Sequence, residues 1–174
     1  IFSLLTLDHI KGDGAHHRRI VGGAGNATYR QLRAQGYPPG YRTYCWNCNN
    51  GSALNFKKGV CPHKDPNPVD IETLGQRRYK LRLKYKIFDM YGGSCYCCDE
   101  KDKRLLCVDH IDTTNGSARH LGEDRSLYQL IKKNGFPLGI YRTSCYNCNS
   151  GREVNGGICP HKEINVTQTN PSCS

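Results

Sequence analysis

Cys45-Trp46-Asn47-Cys48-Asn49 returns, at an offset of 100 residues, as Cys145-Tyr146-Asn147-Cys148-Asn149. Working outward, the match continues. Tyr41-Arg42-Thr43 pairs with Tyr141-Arg142-Thr143, and Gly36-Tyr37-Pro38 with Gly135-Phe136-Pro137. Leu7-Asp8-His9-Ile10 pairs with Val108-Asp109-His110-Ile111, and Cys61-Pro62-His63-Lys64 with Cys159-Pro160-His161-Lys162. The offset drifts only between 98 and 101, at Gly-rich and Pro-rich joints where loops gain and lose residues. Five blocks in one order describe a duplicated unit.

The predicted organisation is a first unit over residues 1–64, a turn-rich linker over 65–76, a second unit over 77–162 and a polar tail over 163–174. The copies differ in extent. Before Asp109 the second unit carries a basic run, Gly92-Gly93 and Cys95-Tyr96-Cys97-Cys98; before Asp8 there are seven residues. The simplest expectation is a chain that opens inside its first unit and lacks that unit's upstream Cys-x-x-Cys. Strands are predicted over 4–7, 41–44, 105–109 and 141–144, with short helices over 29–35 and 127–134. Further helices are expected from Asn49 and Asn149 onward, and a basic amphipathic helix over 77–90.

Composition narrows the function classes. The chain has a net charge of +10, a hydrophobic content of 37% and 11 cysteines in 174 residues. A thin apolar core with this much cysteine calls for metal or disulfide staples, and the charge points to a polyanionic partner. No run of about 18 apolar residues exists, so no membrane span is expected. The opening Ile1–Leu7 is broken by Ser3 and Thr6 and has no basic lead, so a secretory signal is not expected either. Disulfides need an oxidising compartment. The expectation is an intracellular, reducing one, with the triplets at Asn26, Asn50, Asn115 and Asn165 as chance sequons.

Cys95-x-x-Cys98 and Cys145-x-x-Cys148 are two paired-thiolate knuckles, enough to complete a tetrahedron around Zn²⁺. Cys97 and Cys107 are read as inert spares. In the first unit Cys45 and Cys48 have no upstream pair, and Cys61 with His63 offers to complete the set. Cys159 and His161 offer the same in the second unit, in competition with Cys95 and Cys98; there the four-Cys set is preferred, with Cys-Pro-His as a clip. How the first unit completes its site stays open. Arg77, Arg78, Lys80, Arg82, Lys84 and Lys86 have no acid between them, which favours contact with phosphate.

An Asp-His pair on a strand, a Gly-rich loop, and Cys-x-Asn-Cys-Asn opening a helix together resemble the HNH endonucleases, in particular phage-type members with a four-Cys zinc site. Residues 77–162 cover a whole unit of that family and 4–64 most of another. The resemblance implies an α+β fold of two tandem, small, zinc-stapled ββα-metal (His-Me finger) units. It implies that Asp8, Asn49, Asp109 and Asn149 hold a catalytic Mg²⁺ or Mn²⁺, and that His9 and His110 act as general bases. Zn²⁺ is then the structural ion. His17 and Arg18, after Gly12-Asp13-Gly14, resemble the family's basic pair and would meet phosphate; His17 becomes Ala118 in the second unit. The family's middle Asn is absent, with Gly40 and Ile140 near its place and Asn47 and Asn147 as substitutes. The implied function is hydrolysis of DNA phosphodiester bonds by a His-activated water. The alternative is a degenerate, non-catalytic zinc module that binds DNA or RNA, in a homodimer or a larger nucleoprotein assembly.

Overall fold

A computed structural model describes residues 2–23, 25–54, 60–65, 75–112 and 127–163. The chain is α+β, and its two halves repeat one plan. In the first half a 3-10 turn (Phe2–Leu4) leads into β1 (Leu5–His9), followed by α1 (Gly14–Val21) and α2 (Asn26–Ala34). Then come β2 (Tyr41–Cys45), α3 (Trp46–Leu54) and a second 3-10 turn (Pro62–Lys64). The second half runs α4 (Gln76–Met90), β3 (Leu106–His110), α5 (Leu127–Lys133), β4 (Tyr141–Cys145), α6 (Tyr146–Val154) and α7 (Pro160–Glu163).

Each half has one two-stranded antiparallel sheet. The registers are equivalent: Asp8 faces Arg42 and His9 faces Tyr41, as Asp109 faces Arg142 and His110 faces Tyr141. The helix that follows each second strand starts at the knuckle. Cys48 N–H donates to Cys45 Sγ at 3.3 Å and Cys148 N–H to Cys145 Sγ at 3.4 Å. Each thiol thereby satisfies one of the amides that the first turn of a helix leaves unpaired.

The basic helix forms as expected, one residue longer at its start. Its inward face carries Leu83, Ile87 and Phe88, which pack with Leu106, Val108, Ile131 and Tyr141 in the main core. Lys84 lies on the same face as Phe88, one turn away, and is also buried. The departure from expectation is α1: Gly12 and Gly14 suggest a loop, yet residues 14–21 are helical. Gly22, at φ 71°, ends that helix in the left-handed conformation that glycine adopts without steric cost.

The halves contact each other reciprocally. Asn47 N–H donates to Asn147 Oδ1 at 2.9 Å, and Asn147 N–H donates to Asn47 Oδ1 at 2.7 Å. A Cβ on Gly51 would stand 2.6 Å from Leu105 Cδ2, and a Cβ on Gly151 would stand 2.6 Å from Leu4 Cδ2. Leu4 and Leu105 occupy equivalent places in the duplication. Residue i meeting j while j's counterpart meets i's is the signature of a two-fold axis, here running through one chain. Arg104 adds an unpaired element. Asp102 holds its guanidinium in a fork, at 2.9 and 2.6 Å, and it donates to the carbonyls of Pro62 and Asp65 in the first half. Asn47 and Asn147, expected as substitutes for an active-site amide, thus join the two halves instead.

Candidate metal clusters and active site

The ten described cysteines are all free thiols. Eight of them form three groups, two of which include a histidine, whose ligand atoms lie within 4.8 Å of one another, geometries compatible with zinc. In the first half the group is Cys48, Cys61 and His63. Cys61 Sγ lies 2.9 Å from Cys48 Sγ, and His63 Nδ1 lies 3.4 and 3.6 Å from the two sulfurs. Cys45 adjoins through Cys48, and hydrogen bonding from Cys48 lowers its thiol to about 5. Of the expected quartet, Cys48, Cys61 and His63 come together, and Cys45 stands beside Cys48 outside that group. His63 turns its other nitrogen, Nε2, to Glu100 of the second half at 3.4 Å. That hydrogen bond raises His63 to about 9 in the metal-free chain, with burial opposing it. A carboxylate behind a ring nitrogen is the arrangement that orients metal-bound histidines.

The second half assembles Cys95, Cys98, Cys145 and Cys148, the expected four-Cys set. Cys98 Sγ lies 3.7 Å from Cys145 Sγ. A tetrahedron with Zn–S bonds of about 2.3 Å has edges of about 3.8 Å. Crowding splits the thiols: hydrogen bonds led by that from Cys145 pull Cys95 down, while its bond to Cys145 pushes Cys148 up. The third group is Cys97, Cys148, Cys159 and His161, so Cys148 belongs to two groups. Cys97 is not an isolated spare. Cys107 is: burial raises it to about 12 and it lies on β3 away from all three groups.

The two Asp-His pairs share a register but not their surroundings. Each Asp turns to arginine, and each His, the last residue of its strand, turns to tyrosine. His9 lies 4.8 Å, between ring centroids, from Tyr41, and His110 lies 4.9 Å from Tyr141. Asp8 accepts from Arg42 at 2.8 Å, and both Arg42 contacts fall on Oδ2. Asp109 is 4% exposed and has both oxygens engaged: Oδ2 by Arg142 at 2.9 Å and Oδ1 by Arg152 at 2.5 Å. Two guanidinium groups on one buried carboxylate leave no room in its coordination for a cation, so Asp109 does not fit the role of metal ligand. Asn149 is placed in the first turn of α6 and hydrogen-bonds Cys107; Asn49 holds the equivalent position in α3. Arg152 stands where the first half has Ser52. Laying one copy on the other exposes that difference, although no local motif does.

In the first half His9 belongs to a relay. Its Nε2 is 2.9 Å from His17 Nδ1, and His17 Nε2 is 2.8 Å from Gln31 Oε1. The amide oxygen only accepts, so His17 Nε2–H donates to it, neutral His17 accepts at Nδ1, and His9 Nε2–H donates. His9 Nδ1 is then an acceptor. A Cβ on Gly14 would come within 3.0 Å of it, so glycine keeps that nitrogen clear. Burial, and then the nearby His17, lower the pKa of His9 below 6.5 and favour the neutral ring. His17, expected to meet phosphate, instead uses both ring nitrogens to orient His9. Arg18 is exposed on α1. The counterpart of this segment, residues 113–126, lies outside the described residues.

Compared with known protein families, with curated proteins and with solved structures, the chain gives no match.

The basic face of α4 keeps five of its expected members outward: Arg77, Arg78, Lys80, Arg82 and Lys86 are exposed. Lys84 is not on that face. It is 8% exposed, donates to the Tyr146 hydroxyl at 3.3 Å and sits 5.3 Å from the centre of the Phe88 ring. Burial lowers its pKa to about 8. Among the described residues no helix is long and apolar enough to cross a membrane.

Proposed function

We propose that the chain is a metal-dependent nuclease of HNH type, built from tandem zinc-stapled ββα-metal units, and that it works from its first unit alone. The observation that carries this reading is the asymmetry between the two Asp-His pairs. His9 is a neutral base with an aligned relay and an unobstructed Nδ1, whereas Asp109 beside His110 is sealed by two arginines.

The chemistry follows from general acid-base catalysis. His9 Nδ1 takes a proton from water, the water oxygen bonds to phosphorus, and the P–O bond to the leaving oxygen breaks, that oxygen being protonated from solvent. His17 and Gln31 fix the tautomer that leaves Nδ1 able to accept. Asp8 and Asn49 are the residues that would hold a Mg²⁺ or Mn²⁺, whose chemistry is to neutralise charge on the phosphate oxygens. The second unit contributes the scaffold and the exposed basic face of α4, which suits the phosphate backbone of DNA in preference to any base edge.

The test is nicking of supercoiled plasmid with Mg²⁺ or Mn²⁺. Wild type and His110→Ala should nick at similar rates, and His9→Ala should lose at least about 100-fold, the contribution typical of a positioned base. A second reading, a zinc module that binds DNA or RNA without cutting, draws support from the sealed Asp109 beside the basic helix. It would be favoured if wild type bound nucleic acid with a steep salt dependence and never nicked.

A further inference from the structure

We infer that the second half holds two zinc ions in one cluster, bridged by the thiolate of Cys148. Two four-coordinate ions sharing a single ligand require seven ligands, and the two groups supply that number. Cys95, Cys98 and Cys145 belong to the first group, Cys97, Cys159 and His161 to the second, and Cys148 to both.

The duplication provides an internal control. The first half gathers Cys48, Cys61 and His63 into a group of its own. The Cys-Pro-His segment is therefore a ligand set in its own right, not a clip around a four-Cys site. Its copy keeps the same contacts: His161 Nδ1 lies 3.1 Å from Cys148 Sγ and 3.7 Å from Cys159 Sγ. The second half combines this set with the knuckle of Cys95 and Cys98. Cys97 and Cys98 are neighbours in sequence and belong to different groups, so one knuckle reaches both sites.

Charge supports the count. A second dication is neutralised by the two further thiolates it recruits, Cys97 and Cys159, so the cluster's net charge equals that of a single four-Cys site. Two cations stand over the ring of the knuckle residue Tyr96. Arg142 lies 3.6 Å from the ring centre of Tyr96, inside the upstream knuckle, and Lys162 lies 5.8 Å from it.

The experiment is native mass spectrometry of the full chain purified with zinc, supported by elemental analysis. Wild type should carry three zinc ions, one for each group. Cys97→Ser and His161→Asn should each lose one ion, and Cys148→Ser should lose two. Replacement by ¹¹³Cd should give two NMR signals coupled to each other through the bridging sulfur, and a third uncoupled signal. A wild-type count of two would overturn the proposal, as would a count unchanged by Cys97→Ser. If Cys148→Ser fails to fold, the wild-type count and the half-buried Cys97 position still decide the matter.

Discussion

Gly51→Ala tests the contact between the halves directly. In isolation an alanine in a helix is favoured over glycine by about 1 kcal/mol. Here the new methyl would stand 2.6 Å from Leu105 Cδ2 and 2.8 Å from Pro62 Cγ. Leu105 is fully buried and the proline ring cannot rotate away. Overpacking of this kind costs about 1–3 kcal/mol, and two simultaneous clashes place it at the upper end. The expected net effect is a loss of about 2 kcal/mol. The equivalent Gly151→Ala should cost less, because its second neighbour, the Pro160 ring, is 3.2 Å away. Urea unfolding at a fixed free zinc concentration measures both, since metal bound only to the native state adds to apparent stability. Leu105→Ala alone should cost about 2–5 kcal/mol. Combined with Gly51→Ala, the total should fall short of the sum by about 1–2 kcal/mol, because one change fills the space the other empties. A stabilised Gly51→Ala, or strict additivity with Leu105→Ala, would refute the packing.

Lys84→Met should stabilise the chain at pH 7 by about 1–2 kcal/mol, from a burial penalty of roughly 3 kcal/mol less the lost bond to Tyr146. The folded pKa of about 8 lies below the unfolded 10.5, so the unfolded state binds more protons between those values and wild-type stability rises with pH there. The advantage of the Met variant should shrink across the same window, as urea melts at pH 7 and pH 10 would show. The lowered pKa of His9 predicts nicking whose acid limb has its midpoint below pH 6.5; a midpoint above 7 in the pH–rate profile would contradict the relay. Arg152→Ser, which installs the residue of the first half, should destabilise by about 1–3 kcal/mol by leaving Asp109 one partner short. It should also give the second half measurable Mn²⁺ affinity by calorimetry. Stripping zinc with a strong chelator should abolish cooperative unfolding, because the cysteine groups stand where a larger protein would have apolar core.

Local signals were the legible part. The strands leading to Asp8 and Asp109 and the basic helix formed within two residues of expectation, because hydrophobic spacing and glycine stops act over a few residues. The four-Cys group of the second half was legible because Cys-x-x-Cys spacing is itself local. Three features were not, and each depends on residues distant in sequence. Lys84 belongs to a basic run by composition, but the 3.6-residue period turns it inward beside Phe88. His17 follows a Gly-rich stretch that resembles a phosphate loop, yet Gln31, fourteen residues on, recruits it into the relay with His9. Asp109 carries the same neighbours as Asp8 along the chain, and only α6 folding back brings Arg152 onto it.

The reciprocal seam between the halves has a genetic consequence. In a homodimer every substitution strikes both copies of a site, so neither copy can be silenced while the other is spared. Joining the copies in one chain removes that constraint and keeps them together at any dilution, since the tethered partner is present at an effective concentration of about millimolar. Each half is then free to drift under its own selection. Arg152 closes one carboxylate where the other half has Ser52. The seam of Asn47, Asn147, Gly51 and Gly151 is what both lineages must still agree upon.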